Sequence, residues 1–339
     1  MSLTELLRKA RYRLALNENL FLPRELVAEV VEQAARLIDP RLYPDMYGEE
    51  LRAKIAERLG VKDSEVIVGP GSDSIIEAIA LARRGFAVIV EPTFEEYRRA
   101  VEAFGGRIRE VLLRQDFSLD PEAVVSAARG ADVVFLASPN NPTGNQFSRD
   151  AVEAVLEGVK GLVVIDEAYA EYAKYTMVDA LSEYENLVIL RTFSKAWGLA
   201  GLRVGYGIAR ANVVRELVKA MRPFATSAVS LKAAELMLER ERKVMEAIRR
   251  TIQAREWLSG EISALESAKP YPSDANFLLV KLAVNGHEAW RKLLEAGFLV
   301  KDLSGVPLCE NCLRITVPPI DIGRRLIAAL KEAIGELAG

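Results

Sequence analysis

From about residue 47, short apolar runs alternate with longer stretches in which apolar residues recur at helical spacing. The apolar runs are continuous, as in Val-Val-Phe-Leu at 133–136, which is typical of strands that are buried on both faces. We therefore predict an α/β fold with a mostly parallel sheet covered by helices on both faces. The predicted strands are 65–69, 86–91, 107–113, 132–137, 162–165 and 187–190, and the helices among them include 47–60, 72–83, 94–104, 121–128 and 148–158.

The pattern changes near Ser227. A charged helical stretch with few helix breakers extends from 230 to about 265, and a short set of strands and helices follows it. We predict three parts: residues 1–40 form an arm that packs with the small domain, 41–228 form a large domain, and 229–339 form a smaller α+β domain. The elements predicted in the small domain are strands 276–282, 298–301 and 313–317 and helices 287–296 and 322–337.

Charge and hydropathy exclude several classes of partner. The 45 basic and 48 acidic residues nearly cancel, and no long basic block is present, so we expect no nucleic acid partner. No apolar run reaches the roughly 18 residues that span a bilayer, so we expect no membrane partner. Residues 1–12 lack the apolar centre of a signal peptide. A soluble, cytoplasmic protein is predicted.

The two cysteines, Cys309 and Cys312, form a Cys-x-x-Cys pair. Such a pair can be a redox dithiol or half of a zinc site. Zinc requires further ligands, and the single histidine, His287, is remote in the sequence. A redox pair is expected at the start of a helix, whereas a strand-like segment follows this one. We interpret both as small residues at the end of a loop, and we predict no metal.

Polar clusters follow four of the predicted strands at their carboxyl ends, where open parallel sheets bind ligands. Taken singly, each cluster has an ordinary explanation, such as a helix cap at 71–73 or a turn at 139–144. Their placement at successive strand ends instead predicts one crevice with a carboxylate, an amide, a phenol, hydroxyls and an amine. The clusters are 70–73, 138–144, 166–169 and 191–195.

These motifs, in this order along nearly the whole chain, resemble the pyridoxal-phosphate-dependent aminotransferases of fold type I, and most closely the histidinol-phosphate aminotransferase group. The most specific motif is Arg-Thr-Phe-Ser-Lys-Ala-Trp-Gly-Leu-Ala-Gly-Leu-Arg at 191–203. The other motifs are Leu-Asn-Glu-Asn at 16–19, Leu-Tyr-Pro at 42–44, Pro-Thr-Phe at 92–94, Pro-Asn-Asn-Pro-Thr-Gly at 139–144, Asp-Glu-Ala-Tyr at 166–169, Asp-Ala-Asn-Phe at 274–277 and Leu-Arg-Ile-Thr-Val at 313–317.

The resemblance implies pyridoxal 5'-phosphate as cofactor and a role for each group around its ring. Lys195 binds the cofactor aldehyde and, once displaced by substrate, moves a proton as general base and acid. Asp166 keeps the ring nitrogen protonated. Tyr169 and Asn141 bond the phenolic oxygen of the ring, and Phe94 stacks on the ring face.

The resemblance also implies a site for the cofactor phosphate. The helix that begins near Ser72 offers free N–H groups, which bind anions. Tyr43 reaches the phosphate of the neighbouring subunit, which implies a homodimer with shared active sites. The residues assigned to the phosphate within one chain are Ser72, Asp73, Thr192, Ser194 and Arg203.

For the substrate, the resemblance assigns Arg314 to the anionic group. Thirteen residues upstream, where the related enzymes have a second arginine, this chain has Lys301, which keeps the charge but lacks the bidentate fork. Asn19 and Phe21 are also assigned to substrate binding, and many members have a tyrosine at the position of Phe21.

We predict a transaminase that moves an amino group between a small, phosphorylated amine such as histidinol phosphate and the keto acid 2-oxoglutarate. A threonine-phosphate decarboxylase is an alternative, because it shares most cofactor motifs, and an aminotransferase for aromatic or acidic amino acids is another. A non-catalytic, cofactor-binding regulatory module is the alternative from a different class. The presence of both Lys195 and Asp166 argues against that module.

Overall fold

The structure is a computed structural model that describes residues 2–338. The amino-terminal part packs against distant parts of the chain. Its first helix has no buried residue, and its first strand pairs in parallel with Phe298–Leu299, near the other end of the chain. The elements of this part are α1 (Leu3–Lys9), β1 (Tyr12–Arg13), α2 (Arg24–Leu37) and α3 (Glu49–Leu59).

A seven-stranded sheet forms the centre of the molecule, in the order β2-β8-β7-β6-β5-β3-β4. All neighbours are parallel except β8, which is antiparallel to both β2 and β7. The strands are β2 (Val66–Gly69), β3 (Phe86–Glu91), β4 (Arg107–Leu112), β5 (Val133–Ala137), β6 (Leu162–Asp166), β7 (Leu187–Thr192) and β8 (Gly205–Ala209).

Helices cover both faces of this sheet, which confirms the predicted fold class. Alternate residues of β5 pack into two different cores: Val134 and Leu136 on one face, Val133 and Phe135 on the other. Burial on both faces is the physical reason for the continuous apolar runs in the sequence. The helices of this region are α4 (Ser72–Ala82), α5 (Glu96–Ala103), α6 (Pro121–Ala127), α7 (Arg149–Gly158) and α8 (Ala211–Val218), with 3-10 turns at Asp63–Glu65, Ala170–Tyr172, Val178–Ser182 and Ala200–Leu202.

Strand β8 and helix α8 are absent from the prediction. The strand reads Gly-Tyr-Gly-Ile-Ala, and two glycines in five residues obscure a strand pattern. The structure explains the first of them, because a Cβ on Gly205 would lie 2.1 Å from the backbone nitrogen of Ser72. The strand therefore needs glycine there to pass beside the start of α4.

The helical stretch predicted from 230 to 265 does not form one continuous helix. Two helices occupy it, α9 (Ala228–Leu238) and α10 (Glu241–Ser263), and the chain turns at Arg240 with neither glycine nor proline at the break. The turn follows from packing, since α9 packs against α2 and α3 while α10 extends to the smaller sheet.

That smaller sheet is antiparallel, with the order β12-β13-β10-β9. The single strand predicted at 298–301 divides at Val300, because its first half pairs with β1 and its second half with β13. The predicted domain boundaries stay predictions. The elements are β9 (Ala268–Pro270), β10 (Phe277–Leu282), α11 (Gly286–Glu295), β11 (Phe298–Leu299), β12 (Lys301–Asp302), β13 (Cys312–Thr316) and α12 (Ile320–Ala338).

Cys309 and Cys312 are buried free thiols at the end of the loop between β12 and β13. A hydrogen bond between them is the main cause that raises the pKa of Cys309 and lowers the pKa of Cys312. Among the residues that the structure describes, no cluster of histidine, cysteine, aspartate or glutamate side chains is arranged to hold a metal ion. Within 2–338, every helix is too short or too polar to cross a membrane. The cytoplasmic location stays a prediction.

Candidate active site

A cavity of about 570 Å³ lies at the carboxyl ends of the parallel strands, between the large sheet and the loop from β12 to β13. Side chains that follow β5, β6 and β7 line one side of it, and Lys301 and Arg314 of the small sheet line the other. Twelve of the predicted site residues line this cavity: Ser72, Asp73, Phe94, Asn141, Asp166, Tyr169, Thr192, Ser194, Lys195, Arg203, Lys301 and Arg314.

Three predicted site residues lie outside the cavity lining. Tyr43 is 84% exposed, and its ring lies 5.0 Å from that of Phe224. The Asn19 side chain donates to the Ala196 carbonyl at 2.7 Å, so it ties the arm to the loop after Lys195. Phe21 is buried in the core below the guanidinium of Arg250. The binding roles of Tyr43, Asn19 and Phe21 stay predictions.

Lys195 is half-buried and its amine is at the cavity wall. Its Nζ donates to the Leu16 carbonyl at 2.8 Å and lies 5.7 Å from the centre of the Tyr169 ring. The flanking residues Phe193 and Trp197 are buried in the core, which holds the short loop after β7 in place. The amine is thus set between the arm and the end of β6.

Asp166 is the last residue of β6 and is 5% exposed. One carboxylate oxygen accepts from the Tyr97 hydroxyl at 2.7 Å and the other from the Ala168 N–H at 3.0 Å. Burial raises the pKa of Asp166 to about 6, and the two hydrogen bonds oppose that rise. The carboxyl group can therefore hold or release a proton close to neutral pH.

Two residues that contact the predicted groups were missed. The sequence pattern indicates only that Tyr97 is a core aromatic residue of α5. The structure shows that its hydroxyl is a hydrogen-bond donor to Asp166. Asn17 was given no role, although its amide donates to the Tyr169 oxygen at 3.0 Å. Its φ of 58° fits the residue type, because asparagine adopts this left-handed conformation more readily than most residues, but the sequence gives no signal of the contact with Tyr169.

The start of α4 lies beside Arg203. The N-cap Gly71 has a φ of 81° and provides no side-chain cap, so the first N–H groups of the helix stay open. Arg203 donates to Asp73 Oδ2 at 2.7 Å and to Ser194 Oγ at 3.2 Å. A Cβ on Gly71 would lie 2.7 Å from that guanidinium. Backbone donors, hydroxyls, one cation and its carboxylate partner Asp73 thus meet at one end of the cavity.

Arg314 lies at the opposite side and is 8% exposed. Its guanidinium donates to the Ala15 carbonyl at 2.6 Å and to the Asn141 side-chain oxygen, while its Nε is buried with no hydrogen-bond partner within residues 2–338. Burial lowers the pKa of Arg314. The side chain has donor capacity that the described chain leaves unused.

These groups fit pyridoxal phosphate, the cofactor that the resemblance implies. The Lys195 amine can bind the aldehyde, and the buried Asp166 carboxylate can pair with the ring nitrogen. The phenol of Tyr169, which accepts from Asn17, can bond the phenolic oxygen. The open start of α4, with Arg203 beside it, suits its phosphate. The pocket end with Arg314 then lies free for a substrate.

Comparison with known proteins agrees with this fit. The sequence model of the family "Aminotransferase class I and II" matches residues 12–329. A histidinol-phosphate aminotransferase of Thermococcus gammatolerans is 39% identical over 332 residues, covering 97% of this chain and 92% of the relative. One of Pyrococcus furiosus is 36% identical over 332 residues, covering 97% of this chain and 94% of the relative.

Among solved structures, histidinol-phosphate aminotransferase from Sinorhizobium meliloti in complex with pyridoxal-5'-phosphate is similar, with a TM-score of 0.90. It is 27% identical, and the alignment covers 99% of this chain and 95% of that one. Sequence and fold thus agree over nearly the whole length, and the predicted resemblance is confirmed. The chain belongs to the family of class I and II aminotransferases and is a pyridoxal-phosphate-dependent transaminase.

Proposed function

We propose that this transaminase moves an amino group between histidinol phosphate and 2-oxoglutarate. The observation that carries the proposal is the pair of cations at the substrate end of the cavity. Lys301 and Arg314 are directly opposite each other in the antiparallel pair of β12 and β13, so their side chains are on the same face of the sheet. Both line the cavity.

Two like charges in this arrangement destabilise each other unless an anion lies between them. Within residues 2–338, the exposed Lys301 amine has no hydrogen bond or ion pair, and the Arg314 guanidinium has no acidic partner. A phosphate provides several acceptor oxygens and two negative charges, so it would neutralise both cations at once. The curated relatives named above support the same amine.

Bound pyridoxal phosphate supplies an electron sink that lets the proton on the substrate's α-carbon leave. In our proposal, Lys195 would take that proton and return it to the aldehyde carbon of the cofactor, as general base and acid. Asp166 would hold the proton of the ring nitrogen by its charge, which acts more strongly at a buried carboxylate than in water. Tyr169 would donate to the phenolic oxygen of the cofactor, while its own oxygen accepts from the Asn17 amide.

We also propose a homodimer with shared active sites. Tyr43 belongs to a set of large apolar side chains that solvent reaches in the single chain, and such sets mark interaction surfaces. Leu42 is beside it in the chain, and Phe224 contacts both the Tyr43 ring and the Met46 carbonyl. The exposed set is Leu37, Leu42, Tyr43, Met46 and Phe224.

A substrate panel tests the proposed reaction. Purified, cofactor-loaded enzyme is assayed for kcat/KM with histidinol phosphate, threonine phosphate, phenylalanine and aspartate, each paired with 2-oxoglutarate. We expect histidinol phosphate to have the highest value. If phenylalanine or aspartate exceeds both phosphorylated amines, the assignment of the cation pair to a phosphate is wrong. Carbon dioxide released from threonine phosphate without amino transfer would identify the decarboxylase instead.

A further inference from the structure

Tyr97 is fully buried at the wall of the cavity and contacts two of the groups assigned to the cofactor. Its hydroxyl donates to Asp166 Oδ2 at 2.7 Å. Its ring lies flat against Phe135 of β5, with centroids 5.0 Å apart, and meets the Phe94 ring edge to face at 5.7 Å. Helix α5 thus reaches Asp166 and Phe94 through this side chain, which the mechanism above does not use.

The Asp166 carboxylate needs donors to remain ionised where it lies. A buried carboxylate shifts toward its neutral form unless hydrogen bonds or opposite charges favour the ion. Of the groups that face it, Asp73 at the start of α4 disfavours the charge, while Lys195 after β7 and the Ala168 N–H favour it. Tyr97 on α5 provides the shortest contact, and among these groups its effect opposes burial most strongly.

The proton of this hydrogen bond stays on the phenol. Burial raises the pKa of Tyr97 well above its ordinary value, and the neighbouring carboxylate raises it further. Tyr97 is therefore a permanent donor at neutral pH. With Ala168 on one oxygen and Tyr97 on the other, the plane of the carboxylate is held by two donors from different elements.

We propose that Tyr97 is a positioning residue that keeps the Asp166 carboxylate ionised and oriented toward the ring nitrogen of the cofactor. The proposal rests on the role of Asp166 in the proposed mechanism. The Tyr97 ring also packs edge to face against the Phe94 ring. One buried side chain thus contacts both Asp166, assigned to the ring nitrogen of the cofactor, and Phe94, assigned to the face of its ring.

The decisive variant is Tyr97→Phe, which removes the hydroxyl and keeps the ring against Phe135. The first readout uses cofactor-free protein with ¹³C-labelled aspartate carboxyls, in which NMR follows the titration of Asp166. At pH 7 we expect the ratio of ionised to protonated Asp166 to fall about tenfold or more, the scale for loss of a hydrogen bond to a charged group. Asp166→Asn identifies the resonance.

The second readout is the ¹⁵N chemical shift of the ring nitrogen in protein loaded with ¹⁵N-labelled cofactor. We expect Tyr97→Phe to move this shift toward that of the unprotonated nitrogen, and the matched control Tyr175→Phe to leave it unchanged. Tyr175 loses a hydrogen bond of the same 2.7 Å length, to the Phe147 carbonyl. A Tyr97→Phe protein with the parent's Asp166 titration, or with the parent's ring-nitrogen shift, overturns the proposal.

Asp166→Asn in the same ¹⁵N experiment separates this proposal from the mechanism beneath it. If Asp166→Asn moves the shift and Tyr97→Phe does not, the role of Tyr97 is wrong and that of Asp166 stands. If neither variant moves it, another group protonates the ring and both assignments fail.

Discussion

The amine of Lys195 donates to the backbone carbonyl of Leu16 across 2.8 Å, although the two residues are 179 positions apart. The contact brings the arm motif at 16–19 against the loop after β7 and closes one wall of the cavity. A carbonyl acceptor holds the lysine nitrogen at the cavity wall but does not neutralise its charge, whereas an ion pair would. The amine is therefore held in place and available for reaction.

The first prediction is that Lys195 carries the cofactor. Reduction of the loaded enzyme with borohydride, followed by peptide mapping, should find the label on Lys195. The Lys301→Ala variant serves as control, because it removes another lysine of the same cavity and should leave the labelled peptide unchanged. A label on any other lysine would refute the assignment.

Asp166→Asn should bind the cofactor but lose most turnover. The amide preserves the size of the side chain but has no charge to hold the proton on the ring nitrogen, so we expect kcat to fall at least about a hundredfold, the scale of catalysis by a positioned proton. Cofactor affinity, measured by fluorescence titration, should change far less. Near-normal turnover would mean that another group protonates the ring.

The same variant tests the pKa of Asp166 through stability. Because burial raises that pKa from 3.8 to about 6, the folded protein binds more protons than the unfolded chain between these values, and stability is lost as pH rises through about 6. In the cofactor-free form, Asp166→Asn should be more stable than the parent at pH 7.5, by up to about 3 kcal/mol. At pH 4 this advantage should largely vanish.

Urea unfolding at the two pH values measures the difference. Comparing variant with parent at each pH cancels the groups that titrate in both proteins. An advantage of the same size at pH 4 and at pH 7.5 would show that the carboxyl of Asp166 is not the group whose pKa is raised.

Subunit mixing tests the shared active site. Lys195→Ala and Tyr43→Ala homodimers should both be nearly inactive, but a mixture that exchanges subunits should regain part of the activity. The reason is that one of the two sites in each hybrid combines an intact Lys195 with an intact Tyr43. Each variant mixed with itself is the control, and a monomer by light scattering under assay conditions would contradict the dimer.

Lys301→Ala should weaken binding of the phosphorylated amine but not of glutamate. We expect a loss of about 1.5–3 kcal/mol in binding histidinol phosphate, the scale of a hydrogen bond between charged groups. Glutamate should be barely affected, because its α-carboxylate needs only Arg314. Lys301→Arg should keep or improve activity, since arginine restores the bidentate fork.

Values of kcat/KM for both substrates measure this effect, with the exposed Lys331→Ala on α12 as the control. Equal losses for histidinol phosphate and glutamate would mean that Lys301 acts on general binding or on the structure of the loop. No loss for either would make it a solvated surface lysine.

Most strands of the large sheet were predictable because their apolar runs are buried on both faces. The structure places β3 at the predicted residues, and the others begin or end within a few residues of the prediction. Strand β8 was not predictable, because its Gly205 is required by the close approach of the Ser72 backbone. That approach is a contact between distant parts of the chain. The break at Arg240 was missed for the same reason, since the turn follows from the packing of α9.

The sequence by itself determined the chemistry of the site, because reactive groups are residue types and their order along the chain is characteristic of the family. Only the tertiary structure decided which of them meet. It placed Asn17 against Tyr169 and Tyr97 against Asp166, and it set Lys301 directly opposite Arg314. The physical reason is that hydrogen bonds of about 3 Å and cross-strand registers join residues tens to hundreds of positions apart, and local patterns of polarity carry no information about such distances.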